Sequence, residues 1–205
     1  AGIVLGVALL VGWNAWQGYV IRRAEDASAL YTQLSGLIEK GELVAAERDQ
    51  ALDIGQRLKA NYAATPYDEQ GALALAGLNV DAGFLDEAAA ELEYVIENSG
   101  DAELALVARL RLARVRLQQG RLDDADAALV TTDPGAFAAR IAELRGDIAY
   151  ARGDIGGARS AYQEALTQGD AGVVNRVYVQ MKLDDLADPA TPEPQEAAAT
   201  DDSTS

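Results

Sequence analysis

GFLDEAAAEL at 83–92, GRLDDADAAL at 120–129 and GDIGGARSAY at 153–162 align without gaps, each with Gly first, Leu or Ile third and Ala sixth. Glycine enters the φ > 0 backbone region without a Cβ clash, so Gly83, Gly120 and Gly153 suit the residue that ends one helix, and the residues behind them start the next. Ala88, Ala125 and Ala158 then fall where two antiparallel helices cross too closely for a larger side chain. An apolar helix of matching phase precedes each glycine: Leu73, Leu75, Leu78 and Val80, then Leu106, Leu110, Leu112 and Leu117, then Ile141, Leu144 and Ile148. Three helical hairpins therefore follow one another.

The glycines are spaced 37 and 33 residues apart, on either side of the ~34-residue tetratricopeptide period. Upstream, Gly41-Glu42-Leu43-Val44-Ala45-Ala46 repeats the Gly and the sixth-place Ala and leads into a helix to about Tyr62. It reads as a fourth, degenerate hairpin whose first helix continues from the apolar leader. Downstream, Val173 to Leu186 reads as a terminal helix covering the exposed apolar end of the array. The pattern departs from the tetratricopeptide one where Ala72 and Arg109 stand at the usual aromatic places, and Tyr162 alone supplies an aromatic where Leu92 and Leu129 stand. A plain helical bundle without a groove is the competing architecture. The expected fold class is all-α: an N-terminal transmembrane helix, then a tetratricopeptide-like right-handed solenoid of helical hairpins with a C-terminal capping helix.

Residues 1–21 carry no charge and as a helix would span roughly 31 Å, the hydrocarbon thickness of a bilayer. Trp13, Trp16 and Tyr19 recur every three residues beside Asn14 and Gln17, where amphipathic rings meet headgroups, and Arg22 and Arg23 follow at the water side. Gly2 with Gly6 and Ala8 with Gly12 have the small-xxx-small spacing of close helix pairs in lipid, a spacing that glycine-bearing spans also carry by coincidence. A core helix seldom stays uncharged on every face for so long, and a cleavable signal needs a small-x-small site that is not placed convincingly here. A retained anchor over 1–21 is expected. Arg22 and Arg23 alone would hold the following domain in the cytoplasm, and the chain starts at Ala1 rather than Met, which leaves upstream charges open.

Behind Arg23, 15 basic groups face 33 acidic ones, a net −18 that repels phosphate backbones and argues against a nucleic-acid partner. The absence of Cys and His removes thiolate nucleophiles, Ser-His and Cys-His dyads and imidazole or thiolate metal sites, and no cofactor is expected. Asp123-Asp124 and Asp184-Asp185 read as helix starts or solvated faces. A hydrolase built on paired acids has no pocket signature to support it. Residues 187–205, ADPATPEPQEAAATDDSTS, hold Pro189, Pro192 and Pro194 and five acids against no base, the composition of a disordered, solubilising tail. The domain reading is 1–21 anchor, 22–186 repeat domain and 187–205 tail.

Stacked hairpins line their concave side with the first helix of each, where peptides or partner helices lie. With the glycines equivalent, the inward candidates are Leu73, Gly77 and Val80, then Leu110, Arg114 and Leu117, then Glu143, Asp147 and Tyr150. Arg109, Arg111, Arg114 and Arg116 crowd one helix and offer to hold a partner carboxylate, although pairing with Glu91, Glu93, Asp123, Asp124 and Asp126 on flanking helices is the favoured reading.

Four runs carry a resemblance: LRLARVRLQQG at 110–120, ELRGDIAYARGDIGGARSAY at 143–162, VQMKLDDL at 179–186 and GVALLVGWNAW at 6–16. They resemble the YfgM-type ancillary-subunit family of the bacterial SecYEG translocon, over most of the chain to Leu186, with 40–70 matching loosely and the tail outside. The resemblance implies a single-span inner-membrane protein with a cytoplasmic N-terminus and a periplasmic tetratricopeptide-like domain. It also implies association with the translocon and with a membrane-anchored periplasmic chaperone of the prolyl isomerase type, and it brings no catalytic residues. Long domains are exported largely regardless of flanking charge, which answers Arg22 and Arg23. The expected function is a non-enzymatic membrane-tethered adaptor that recruits chaperones or holds emerging secretory chains. A scaffold in a pilus, secretin or cytochrome maturation assembly is the second reading, because fold alone does not decide between them.

Overall fold

A computed structural model describes residues 2–63, 65–131, 133–168 and 174–186, with side chains described except at 2–5, 7 and 8. The chain divides into two compact units between Thr131 and Thr132. The first holds α1 (Gly2–Ile38), α2 (Ala45–Tyr62), α3 (Pro66–Asp81), α4 (Leu85–Asn98), α5 (Ala102–Gln118) and α6 (Leu122–Ala128). The second holds a 3-10 turn at Gly135–Phe137, then α7 (Ala138–Ala151), α8 (Ile155–Thr167) and α9 (Arg176–Asp184). Within each unit consecutive helices pack on one another, and α1 also packs on α3. The right-handed solenoid expected from the sequence would draw on both units.

Three turns share one hydrogen-bond scheme. Gly83, Gly120 and Gly153 have φ of 79°, 73° and 78°. Their N–H groups donate to Val80, Leu117 and Tyr150, and the next residues, Phe84, Arg121 and Asp154, donate back to Asn79, Arg116 and Ala149 at 2.8, 2.9 and 2.9 Å. This is the Schellman closure: it satisfies the last carbonyls of the first helix and aims the chain so that the second begins two residues past the glycine. Gly41, at φ 82°, occupies the corresponding place between α1 and α2. Ala88, Ala125 and Ala158 are each 0% exposed, at the seam of the two helices they join.

The first unit's core joins Ala27, Leu30, Leu34 and Leu37 of α1 to Ala51, Ile54 and Leu58 of α2 and to Leu75 and Leu78 of α3. The second half of α1 is thus the first helix of a hairpin, and the helix runs unbroken through the expected boundary between 21 and 22. Its earlier half differs: Leu9, Leu10, Val11, Trp13, Trp16, Tyr19 and Ile21 are all exposed. Among the described residues no helix is long and apolar enough to cross a membrane. Part of the expected 1–21 span, residues 1–5, 7 and 8, falls outside the described side chains, and the expected tail at 187–205 lies outside the described residues altogether.

The terminal helix is shorter than the sequence reading of Val173 to Leu186. It starts at Arg176 because Asn175 caps it, its side-chain oxygen accepting the Tyr178 N–H at 3.1 Å. Val179 and Leu186 pack with Ala139, Ala142, Tyr162 and Ala165. The helix does cover apolar surface, but Val177 and Met181 on its other side are exposed, so its outer face is not the polar one a simple cap would carry.

Two glycines inside helices separate backbone approach from mere flexibility. A Cβ on Gly146 would lie 2.4 Å from two ring carbons of Tyr162, whereas one on the exposed Gly77 would meet nothing within 4 Å. Gly146→Ala is expected to destabilise the protein by about 1–3 kcal/mol, because the ring cannot yield without giving up its packing. Gly77→Ala is expected to stabilise it by about 0.5–1 kcal/mol through the entropy of the unfolded chain. Urea midpoints at unchanged slope check both.

Candidate partner-binding surface

Two of the expected inward residues of the third hairpin, Glu143 and Asp147, meet α9. Glu143 is only 4% exposed, and a buried carboxylate is tolerated when paired. Arg140 Nη1 donates to Glu143 Oε2 at 2.6 Å, and Lys182 Nζ of α9 donates to Glu143 Oε1 at 3.1 Å. Lys182 Nζ also donates to both oxygens of Asp147, at 2.7 and 2.9 Å, and the Tyr162 hydroxyl donates to Asp147 Oδ1 at 2.8 Å. The ammonium lies 4.7 Å from the Tyr178 ring centroid and 5.7 Å from that of Tyr162, within cation–π range.

Burial pulls the Lys182 pKa down, but the hydrogen bond and charge of Asp147, reinforced by Glu143, outweigh it and hold the ammonium above its ordinary 10.5. Burial first, then the bond to Asp147, pushes the Tyr162 hydroxyl up as well. Asp147, expected to face a partner, is therefore engaged by Lys182 and Tyr162 within its own unit. Tyr150, one turn further along α7, is 57% exposed.

In the first unit the expected groove residues divide. Leu73, Val80 and Leu117 are half-buried and Arg114 is exposed, with an interaction inside the fold. Leu110 is 4% exposed and belongs to the core although it shares a helix face with Arg114 and Leu117, which corrects its assignment to the groove. Of the arginine cluster, Arg116 pairs with Glu93 and Gln119, the intramolecular arrangement favoured from the sequence. Arg111 is exposed with no ion pair among the described residues. Asp123 and Asp124 lie in the first turn of α6, Asp124 bound to Arg121, whereas Asp184 and Asp185 end α9 rather than start a helix.

Three arrangements escaped the sequence reading. The first is Lys182 itself. Its signal was compositional: the chain has three lysines, and each lies in an ion pair, Lys40 with Glu47, Lys59 with Glu91 and Lys182 with Asp147. The second is Asp68, buried and accepting from the Tyr94 hydroxyl at 3.0 Å; burial and this bond push Tyr94 up to about 12. The third is a recess of about 630 Å³ lined by Ile38, Leu43, Val44, Leu78, Asp81 and Arg48. There Arg48 donates to Asn79 at 2.9 Å and lies 3.8 Å over the Phe84 ring, and its Nε is buried without an acceptor. Residues from α1, α2, α3 and two turns form it, and no local pattern announces such an assembly.

None of these clusters sets a nucleophile beside a free base: Glu143 and Asp147 hold Lys182, Asp68 accepts from the Tyr94 hydroxyl, and the perturbed hydroxyls are kept protonated. Helical hairpins closed by repeated glycine turns define a helical-repeat protein. Residues 1–188 match the family described as tetratricopeptide repeat-like domain. The ancillary SecYEG translocon subunit of Escherichia coli (strain K12) is 35% identical over 195 residues, covering 91% of this chain and 86% of that protein. Its namesakes in Aggregatibacter actinomycetemcomitans and Neisseria gonorrhoeae are 31% and 29% identical, over 89% and 90% of this chain and 86% of each. No solved structure matches. The chain belongs to the family of ancillary SecYEG translocon subunits, built on a tetratricopeptide repeat-like domain.

Lys182→Met should loosen α9 and cost about 1.5–3 kcal/mol, the range for hydrogen bonds to charged groups. Both Lys182 and Tyr162 are raised in the fold, so the stability they add is complete below their ordinary values of 10.5 and 10.0 and is lost as pH climbs above them. Denaturation midpoints followed from neutral to alkaline pH should fall less in Lys182→Met combined with Tyr162→Phe than in the natural chain.

Proposed function

We propose that this protein is a non-enzymatic adaptor, anchored in the bacterial inner membrane by the start of α1 and carrying its repeats on the periplasmic side of the protein-conducting channel. The repeat surface recruits a membrane-anchored chaperone of the prolyl isomerase type or holds emerging secretory chains. One observation carries this reading: the helix whose side chains from Leu9 to Ile21 find no core continues directly into the first hairpin of a repeat domain. A run of apolar side chains exposed on every side is unusual for a surface facing water and suits a lipid environment. The relatives' shared name, ancillary SecYEG translocon subunit, supplies the machine beside which such an anchor would work.

Residues 1–21 supply the length, Gly6 lies within the crossing, Trp13, Trp16 and Tyr19 form the aromatic belt, and Arg22 and Arg23 mark the water side. Confinement to the membrane raises the effective concentration of weakly bound partners without adding contacts, so a shallow repeat surface suffices. Leu73, Val80, Arg114, Leu117 and Tyr150 are the residues proposed to touch partners, while Gly83, Gly120 and Gly153 with Ala88, Ala125 and Ala158 keep the hairpins in shape. A structural scaffold shares this architecture, and the two differ in which machine they touch.

Purification from detergent-solubilised membranes should recover channel subunits with the full chain and lose them when residues 1–21 are removed. Replacing Leu117 and Tyr150 together by Asp should keep the channel and lose the chaperone. Unchanged partners after both changes would remove the adaptor reading. Membrane crosslinks dominated by pilus, secretin or cytochrome maturation components would assign the scaffold instead.

A further inference from the structure

The anchor leaves the repeat unit almost no slack. Ile21 ends the uncharged run and Ala27, 0% exposed, already belongs to the hairpin core. The residues between them, 22–26, are part of the same continuous helix and span only about 8 Å. Headgroup layers extend a bilayer by about 5–8 Å on each side, so the core of the first hairpin begins where the headgroups end.

The end of α2 returns to that level. The Arg23 guanidinium lies 6.0 Å from the Tyr62 ring centroid, and Arg23 Nη1 donates to the Tyr19 hydroxyl at 3.1 Å. Tyr62 is the last residue of α2, with Asn61 and Ala63 exposed on either side of it. Between Lys59 and Asp68 the chain carries no charge, in a protein of net −16. The turn at the opposite end of this hairpin holds Glu39, Lys40 and Glu42. One end of the hairpin is thus neutral and aromatic, and it is the end beside the anchor.

Resting on the membrane-anchor reading above, we infer that the C-terminal end of α2, Asn61 to Ala63, sits in the lipid headgroup layer as a second membrane contact. Tyr62 is the side chain type that concentrates at this depth, with an apolar ring and a polar tip. Arg22 and Arg23 are balanced by Glu25 and Asp26 one turn on, so the contact does not require anionic lipid. Two contacts fix direction where one permits swivelling: the repeat unit stands at a set angle on the bilayer.

The chain suits a direct test, having no cysteine and only two tryptophans, both in α1. Full-length protein carrying Ala63→Cys, Asn61→Cys or, as the distal control, Glu42→Cys is labelled with an environment-sensitive fluorophore. It is then reconstituted into phosphatidylcholine vesicles containing lipids spin-labelled at the headgroup or deep in the acyl chain. Labels at 61 and 63 should shift to the blue and be quenched by the headgroup spin label, the label at 42 should behave as in water, and the tryptophans should be quenched by lipid. Labels at 61 and 63 that stay as water-exposed as the label at 42, while the tryptophans are quenched, overturn the second contact and leave the anchor standing. Unquenched tryptophans overturn the anchor and this contact with it.

Discussion

The structure depends on how closely two helices of a hairpin approach, and that closeness rests on glycine backbone in the left-handed region. At Gly83, Gly120 and Gly153 a residue with a Cβ would be strained by about 1–2 kcal/mol, so the turns are cheap for glycine and costly for most others. Each turn satisfies carbonyls that would otherwise point unpaired from the helix end. The returning helix then presents Ala88, Ala125 or Ala158 to its partner, and at the third hairpin Gly146 accepts the face of the Tyr162 ring. Axes brought this near leave little room for large side chains in the seam. Bulk accumulates on the flanks instead, as at Leu75 of α3, which packs with Leu34 and Leu58 of the preceding hairpin.

Charge is distributed by the same economy. With 17 basic groups against 33 acidic ones, cations are scarce, and those that form cross-helix pairs join elements distant in sequence: Lys59 to Glu91, Arg116 to Glu93, Lys182 to Asp147 and Glu143. An ion pair shielded from water is costly to break because it strands its partner, so it specifies arrangement more than it adds net stability. In the second unit this specificity attaches α9, a helix of only 9 residues, to α7.

α1 combines two physical regimes in one element. Its later half is amphipathic and stabilised by packing against α2 and α3, while its side chains from Leu9 to Ile21 are exposed and join no core. A rigid helix joining the two transmits position: whatever holds the first turns also orients the first hairpin. That is a different device from a flexible linker, which raises local concentration but leaves orientation free.

The hairpins, their turn glycines and the small residues at the seams were legible in the sequence because each depends on local rules. A φ > 0 position wants glycine, a tight crossing wants alanine, and an apolar stripe recurs with the helical period. Family membership was legible for the same reason, through runs such as 143–162 whose residue types the packing constrains. The fate of individual surface positions was not. Leu110 and Leu117 carry the same side chain on the same face of α5, two turns apart, and only the packed neighbours make one core and the other half-exposed. Asp147 read as an open carboxylate until α9, 35 residues away in sequence, brought Lys182 against it. Such pairings depend on distances between elements, which a period or a composition does not encode, and so they were decided by the tertiary structure alone.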